Sequence, residues 1–273
     1  VMIEGVLPGG WTGVLSTAAE AGKLQVLDFS TDPSVPYTIF AGVLGGAVLT
    51  MASHGTDQLI VQRLLTCRDL SSAQRALVGS GVVVMIQFVV FLLVGLGLWV
   101  FYGGRSFGST DEIFPTFIVE AMPPGLTGLL IAGVFAAAMS SLSSSVNSLA
   151  SATAYDYWAP MVGAVDDDAR VLRAGRVFTL VWAGLLMGGA VLFIPLSTGT
   201  SAVEVALGVA SLVYGGLLGA FALAVLTKRP GEWDAVVGIV VGVGVVVLLR
   251  DAMAWPWFVL VGSCVTFATG WTA

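Results

Sequence analysis

The chain has 273 residues, of which 57% are hydrophobic and 10% charged, against roughly 25% charged in ordinary soluble domains. That composition excludes a soluble globular domain and points to an all-α protein that crosses a lipid bilayer several times. A net charge of −6 with no basic run excludes a nucleic-acid partner, and the distant Cys67 and Cys264 with the single His54 exclude a disulfide framework or a Cys/His metal cluster.

Residues 1–36 are acidic, with Glu4, Glu20, Asp28 and Asp32 against Lys23. The run WTGVLSTAAEAGKLQVL follows a Pro8-Gly9-Gly10 turn and predicts an amphipathic surface helix outside the membrane. Segment one runs from Tyr37 to Leu65. Its apolar part, Tyr37–Ala52, is short for a span of about 20 residues. It then gives way to Ser53, His54, Gly55, Thr56, Asp57 and Gln58. Gly55 permits a break, and Thr56 or Asp57 suits the cap of a new helical turn. The pattern predicts a discontinuous helix, which transporters use to open backbone groups to a bound solute. Asp57 has two readings: an ionisable site residue at membrane depth, or a cap near the inner interface. His54 reads as a polar group satisfied at the break.

Segment two is Ala76–Phe101, apolar apart from Gln87. In the loop that follows, IFPTFIVEAM predicts a short interfacial helix. Segment three, Gly125–Tyr155, starts apolar and turns polar without becoming charged. Ala137, Ser140, Ser141, Ser144, Ser148 and Ser151 recur at spacings of three and four, which places them on one helix face. Such a stripe serves either of two ends. Small residues let helices pack closely, with Ser141 back-bonded to the Ala137 carbonyl. Alternatively, several neutral oxygens on one face suit a hard cation such as Na⁺. Segments four to seven are Val177–Leu196, Ala202–Leu226, Ala235–Leu249 and Trp255–Thr269, with Trp255, Trp257 and Trp271 suited to interfacial belts.

Lys and Arg set the orientation. One group of loops holds Arg63, Arg68, Arg75, Arg170, Arg173, Arg176, Lys228 and Arg229. The opposite group holds Lys23, Arg105 and Arg250. Eight against three makes the first group cytoplasmic. Seven spans then carry the chain from an outer N-terminus to a cytoplasmic C-terminus.

The stretch AAAMSSLSSSVNSLASATAYDYW closely resembles the most recognisable segment of the sodium:solute symporter family, whose fold is of the LeuT type. HGTDQLIVQRLL at His54–Leu65, MPPGLTGLLIAGVFAA at Met122–Ala137 and YGGLLGAF…LTKR at Tyr214–Arg229 resemble that family too, in the same order. The resemblance implies that the segment-three helix carries half of a sodium site. The ligands would be the carbonyl of Ala137 and the hydroxyls of Ser140 and Ser141. It also implies a core of two inverted five-helix repeats. Residues 37–226 correspond to the second repeat, residues 227–273 to two further helices, and residues 1–36 to an extracellular loop. The first repeat, which supplies the other sodium ligands and a wall of the solute site, has no counterpart in this sequence. The expected role is sodium-coupled symport of a small organic solute across the plasma membrane by alternating access, as the C-terminal half of a larger transporter.

Thr50, Ser53, Asp57, Gln58 and Leu207 are the candidate solute-site positions. Sugar-transporting members use a glutamine where Leu207 stands. An apolar side chain there leaves sugar hydroxyls unpaired, which disfavours a sugar and leaves a small carboxylate, amino acid or vitamin. An enzyme is not expected, since no HExxH, Cys/His cluster or nucleophile–base pair occurs. The remaining alternative is a non-transporting scaffold or sensor built on the same fold.

Overall fold

The computed structural model describes residues 9–193, 201–228 and 231–273, without the side chains of residues 58, 59 and 62. All regular structure among the described residues is helical. The chain divides into two compact units. The first comprises the described residues of Val1–Ser106 and Ala202–Ala273, the second those of Phe107–Ser201.

In the first unit, α1 (Gly10–Glu20) covers the first part of the run expected to be helical. Its N-terminus is set by Gly9 in the left-handed region at φ 80°, a conformation that favours glycine. Lys23, just past its end, lies 5.6 Å from the Trp99 ring centroid, a cation–π contact. Segment one begins with a π-helical turn, Ala41–Gly45, continues as α2 (Gly46–Thr56), and resumes after Asp57 as α3 (Gln58–Leu65). The long helix α4 (Leu70–Phe101) follows. It starts six residues before the apolar run because Asp69 caps it, its Oδ1 accepting from the Ser72 amide at 2.7 Å. The Ser72 amide and then the Ser72 hydroxyl hold the Asp69 carboxyl below the ordinary aspartate range.

Three more helices of this unit, α8 (Ala202–Leu226), α9 (Glu232–Leu249) and α10 (Pro256–Thr272), pack against one another, with α2 on the α8–α10 pair. Their approach is close enough to require glycine. A Cβ on Gly219 would lie 2.5 Å from the Thr266 Cβ, and one on Gly242 would collide with the Thr266 hydroxyl. Thr266 is fully buried between them. Helices in lipid gain little from hydrophobic burial against each other, so backbone proximity of this kind supplies the packing. Ala52, Leu218 and Val259 form the cluster that joins α2 to this bundle, with Val48, Leu49 and Tyr214 against it.

The second unit contains the short helix expected in the loop after segment two, α5 (Ile113–Glu120), then α6 (Pro124–Ala152) and α7 (Asp168–Phe193). Pro124 at the first turn of α6 is favoured there because its missing N–H would have no partner. The Thr127 hydroxyl lies 3.0 Å from the Ile118 carbonyl and 3.1 Å from that of Pro123, closing the turn between α5 and α6. At its other end α6 widens into a π-helical turn, Thr153–Trp158. Here the Thr153 hydroxyl donates to the Leu149 carbonyl at 2.7 Å and accepts from Trp182 Nε1 at 2.9 Å, pinning α6 to α7. Ala154, Ala159 and Val171 make the small core beneath.

Among the described residues, five helices are long and apolar enough to cross a membrane: α4, α6 with its extension to Met161, α7, α8 and α9. The protein is therefore a polytopic, all-α membrane protein. The expected count of seven adds the broken segment one and α10, of 17 residues. Of the residues used for orientation, Arg229 lies outside the described residues, as do Pro8 and the last residues of segment four.

Candidate functional site

The candidate residues fall in both units. Ala137, Ser140 and Ser141 belong to the second, and Thr50, Ser53, Asp57, Gln58 and Leu207 to the first.

Ala137, Ser140 and Ser141 stand at i, i+3 and i+4 of the continuous helix α6, so they share one side of it. All three are exposed, as is every residue from 131 to 144. The stripe becomes half-buried only at Ser148 and Ser151, near buried Ala150. Hydroxyl-to-carbonyl back-bonds do occur in this chain, at Thr56 to Ala52, Thr153 to Leu149 and Thr179 to Gly175. Among the described residues neither Ser140 nor Ser141 makes one. Both readings of the stripe remain open at these two positions, where the hydroxyls are exposed and not back-bonded among the described residues.

Segment one breaks where its polar run predicts. Asp57 is extended, at φ −77° and ψ 114°, between α2 and α3. The break falls at Asp57 and not at Gly55, which stays helical with open space around it. The end of α2 satisfies its own polar groups. Thr56 Oγ1 donates to the Ala52 carbonyl at 2.7 Å and Ser53 Oγ to that of Thr50 at 3.2 Å. His54 Nδ1 lies 3.1 Å from the Thr50 carbonyl. The same Nδ1 lies 3.0 Å from the Ser53 hydroxyl, so His54 has polar partners at the break in either tautomer. The Asp57 carbonyl starts α3, accepting from the amides of Ile60 and Val61 at 3.1 and 2.9 Å.

Thr50 is exposed, and Ser53, Asp57 and Leu207 are half-buried. The side chain of Gln58 lies outside the described ones. Sequence reasoning missed a partner of Asp57: Tyr214, in the middle of α8, donates its hydroxyl to Asp57 Oδ2 at 2.9 Å. A second pair links the same two elements, Tyr37 donating to Glu204 Oε1. A carboxylate at membrane depth calls for a donor, and Tyr214 is the tyrosine set inside an apolar span. That coincidence is the only signal the sequence carries for the first pair.

The sequence matches the sodium:solute symporter family over residues 14–242. It is 28% identical to the sodium/sialic acid symporter SiaT of Proteus mirabilis over 92% of this chain and 51% of that protein. It is 26% identical to the human sodium-coupled monocarboxylate transporter 1 over 87% of this chain and 40% of that protein. With the human sodium/iodide cotransporter the identity is 27%, over 82% of this chain and 36% of that protein. The chain thus spans about half, or less, of the length of these relatives.

Proposed function

The chain belongs to the sodium:solute symporter family, and from that membership we propose that it forms the C-terminal half of a transporter coupling entry of a small organic solute to sodium entry. The observation that carries this reading is the triad on α6: Ala137, Ser140 and Ser141 at i, i+3 and i+4, exposed on a helix of membrane-spanning length. In this reading the Ala137 carbonyl and the two hydroxyls are half of the sodium site. Hydroxyls give a hard cation oxygen ligands without adding a fixed charge, which suits a site that must release its ion in every cycle. No carboxylate shares that face.

Residues 37–226 act as the second five-helix repeat and residues 227–273 as two following helices. A first repeat, outside this sequence, supplies the remaining sodium ligands and the opposite wall of the solute site. The break at Asp57 opens the end of α2 toward the solute, with Thr50, Ser53, Gln58 and Leu207 as the candidate lining. Apolar Leu207 favours a solute with few hydroxyls, such as a small carboxylate, amino acid or vitamin, over a sugar. The arginine-rich loops face the cytoplasm of a cell whose plasma membrane holds the protein, and the two halves expose the sites to either side in turn.

The test is solute uptake driven by a sodium gradient in a complete transporter, made by joining this chain to the first-half helices of a relative. Uptake abolished by replacing sodium with potassium supports the reading. Uptake indifferent to sodium contradicts it. A folded, membrane-inserted assembly that moves no solute under any gradient points to the scaffold or sensor.

A further inference from the structure

The two tyrosine–carboxylate pairs are reciprocal. Segment one gives a tyrosine, Tyr37, at its outer end and a carboxylate, Asp57, at its break. The helix α8 gives a carboxylate, Glu204, in its first turn and a tyrosine, Tyr214, at its middle. Each element is donor to the other once and acceptor once. The inner pair stands on a packed base, because the Tyr214 ring sits with Val48 and Leu49 against the Ala52–Leu218–Val259 cluster. The position of Tyr214 along α8 is itself fixed. The next residue, Gly215, lies so near α10 that a Cβ there would be 3.1 Å from the Phe258 carbonyl oxygen and the Gly262 Cα.

We infer that Tyr214 and Asp57 are a positioning pair that holds the helix break of segment one against α8, with Tyr37 and Glu204 holding the outer end. Asp57 then serves the solute site by fixing where the break lies, not by binding the solute. The inference goes beyond the transport reading, since it concerns which helices move together. Segment one shifts with α8 while both pairs hold, and α3 turns separately from α2 only when the inner pair parts. A hydroxyl-to-carboxylate bond suits that duty. It is directional, and hydrogen bonds to charged groups are stronger than neutral ones.

Amide hydrogen exchange on the 273-residue chain in lipid nanodiscs tests this without needing transport. Tyr214→Phe keeps the ring and removes the hydroxyl. It should raise exchange at residues 57–65 about three- to tenfold, the scale of one lost hydrogen bond, with α9 and α10 unchanged. Asp57→Asn retains an acceptor oxygen but loses the charge and should fall between wild type and Asp57→Ala, whereas Asp57→Ala should match or exceed Tyr214→Phe. Tyr37→Phe should loosen residues 38–45 and leave 57–65 as they were. Wild-type exchange at 57–65 in Tyr214→Phe would overturn the inference. So would a rise spread evenly over α8, α9 and α10, which is loss of packing, or an Asp57→Asn effect as large as that of Asp57→Ala, which is a need for charge.

Discussion

Ser140 and Ser141 carry the sodium reading at the smallest scale. Both are exposed on α6, and among the described residues neither makes a back-bond. Losing one oxygen ligand from a weak ion site costs on the order of 1–3 kcal/mol, as for other polar partners lost from buried sites. In a complete transporter, Ser140→Ala or Ser141→Ala should therefore raise the sodium concentration for half-maximal uptake roughly 5- to 150-fold. Ser143→Ala, on another face, should leave it unchanged. Equal sodium dependence in all three would make the stripe a packing surface. This stripe was legible in the sequence, because helical spacing is a local property. Tyr214 as a partner of Asp57 was not: it is 157 residues away, and only the fold brings the two together.

Among the elements, the helices themselves were readable from apolar runs, and their ends were less so. The helices α4 and α7 begin at Leu70 and Asp168, well before the apolar stretches at Ala76 and Val177. Capping by Asp69 and the arginine-bearing turns of α7 extend the helices into polar sequence, where hydropathy gives no signal. The cap makes its own prediction. Its carboxyl is held below the ordinary range, so its contribution is complete at neutral pH and fades only as pH falls through that lowered value. Asp69→Ala should speed amide exchange at residues 70–73, while Asp69→Asn should largely preserve protection. The two π-helical turns, Ala41–Gly45 and Thr153–Trp158, leave no periodicity to read. The glycine-rich composition announced close packing but not which glycines mattered. Gly242 faces the buried Thr266 hydroxyl, whereas a Cβ on Gly244, two residues on, would meet nothing within 4 Å. Gly242→Ala should destabilise the bundle by about 1–3 kcal/mol through overpacking. Gly244→Ala should be neutral or gain up to about 1 kcal/mol from helix propensity. Thermal unfolding in detergent distinguishes them.

For the whole molecule, orientation and completeness are the quantities to measure. Cys67 follows α3 between Arg63 and Arg68 and is a free, half-buried thiol. With the arginine-rich loops inside, a membrane-impermeant thiol reagent should label it only after the membrane is opened; labelling in intact cells would invert the orientation. The middle of α4, including Val83, Met85, Phe88 and Phe91, is exposed, and so is α6 from residue 131 to 144. The apolar surface suits lipid or further helices, and in the proposed transporter the Ser140 and Ser141 hydroxyls meet sodium together with ligands from the first repeat. Half of an ion site binds poorly, because the ion loses its water without full replacement. The most direct measurement is sodium-driven uptake into liposomes, with sialic acid, monocarboxylates and vitamins as probes. It compares the 273-residue chain alone with the same chain joined to a relative's first-half helices. The expected result is no sodium-coupled uptake by the chain alone and sodium-dependent uptake of at least one probe by the joined form. Sodium-coupled uptake by the chain alone, or its absence from a folded joined form, would contradict the assignment of this chain as the sodium-site half of a symporter.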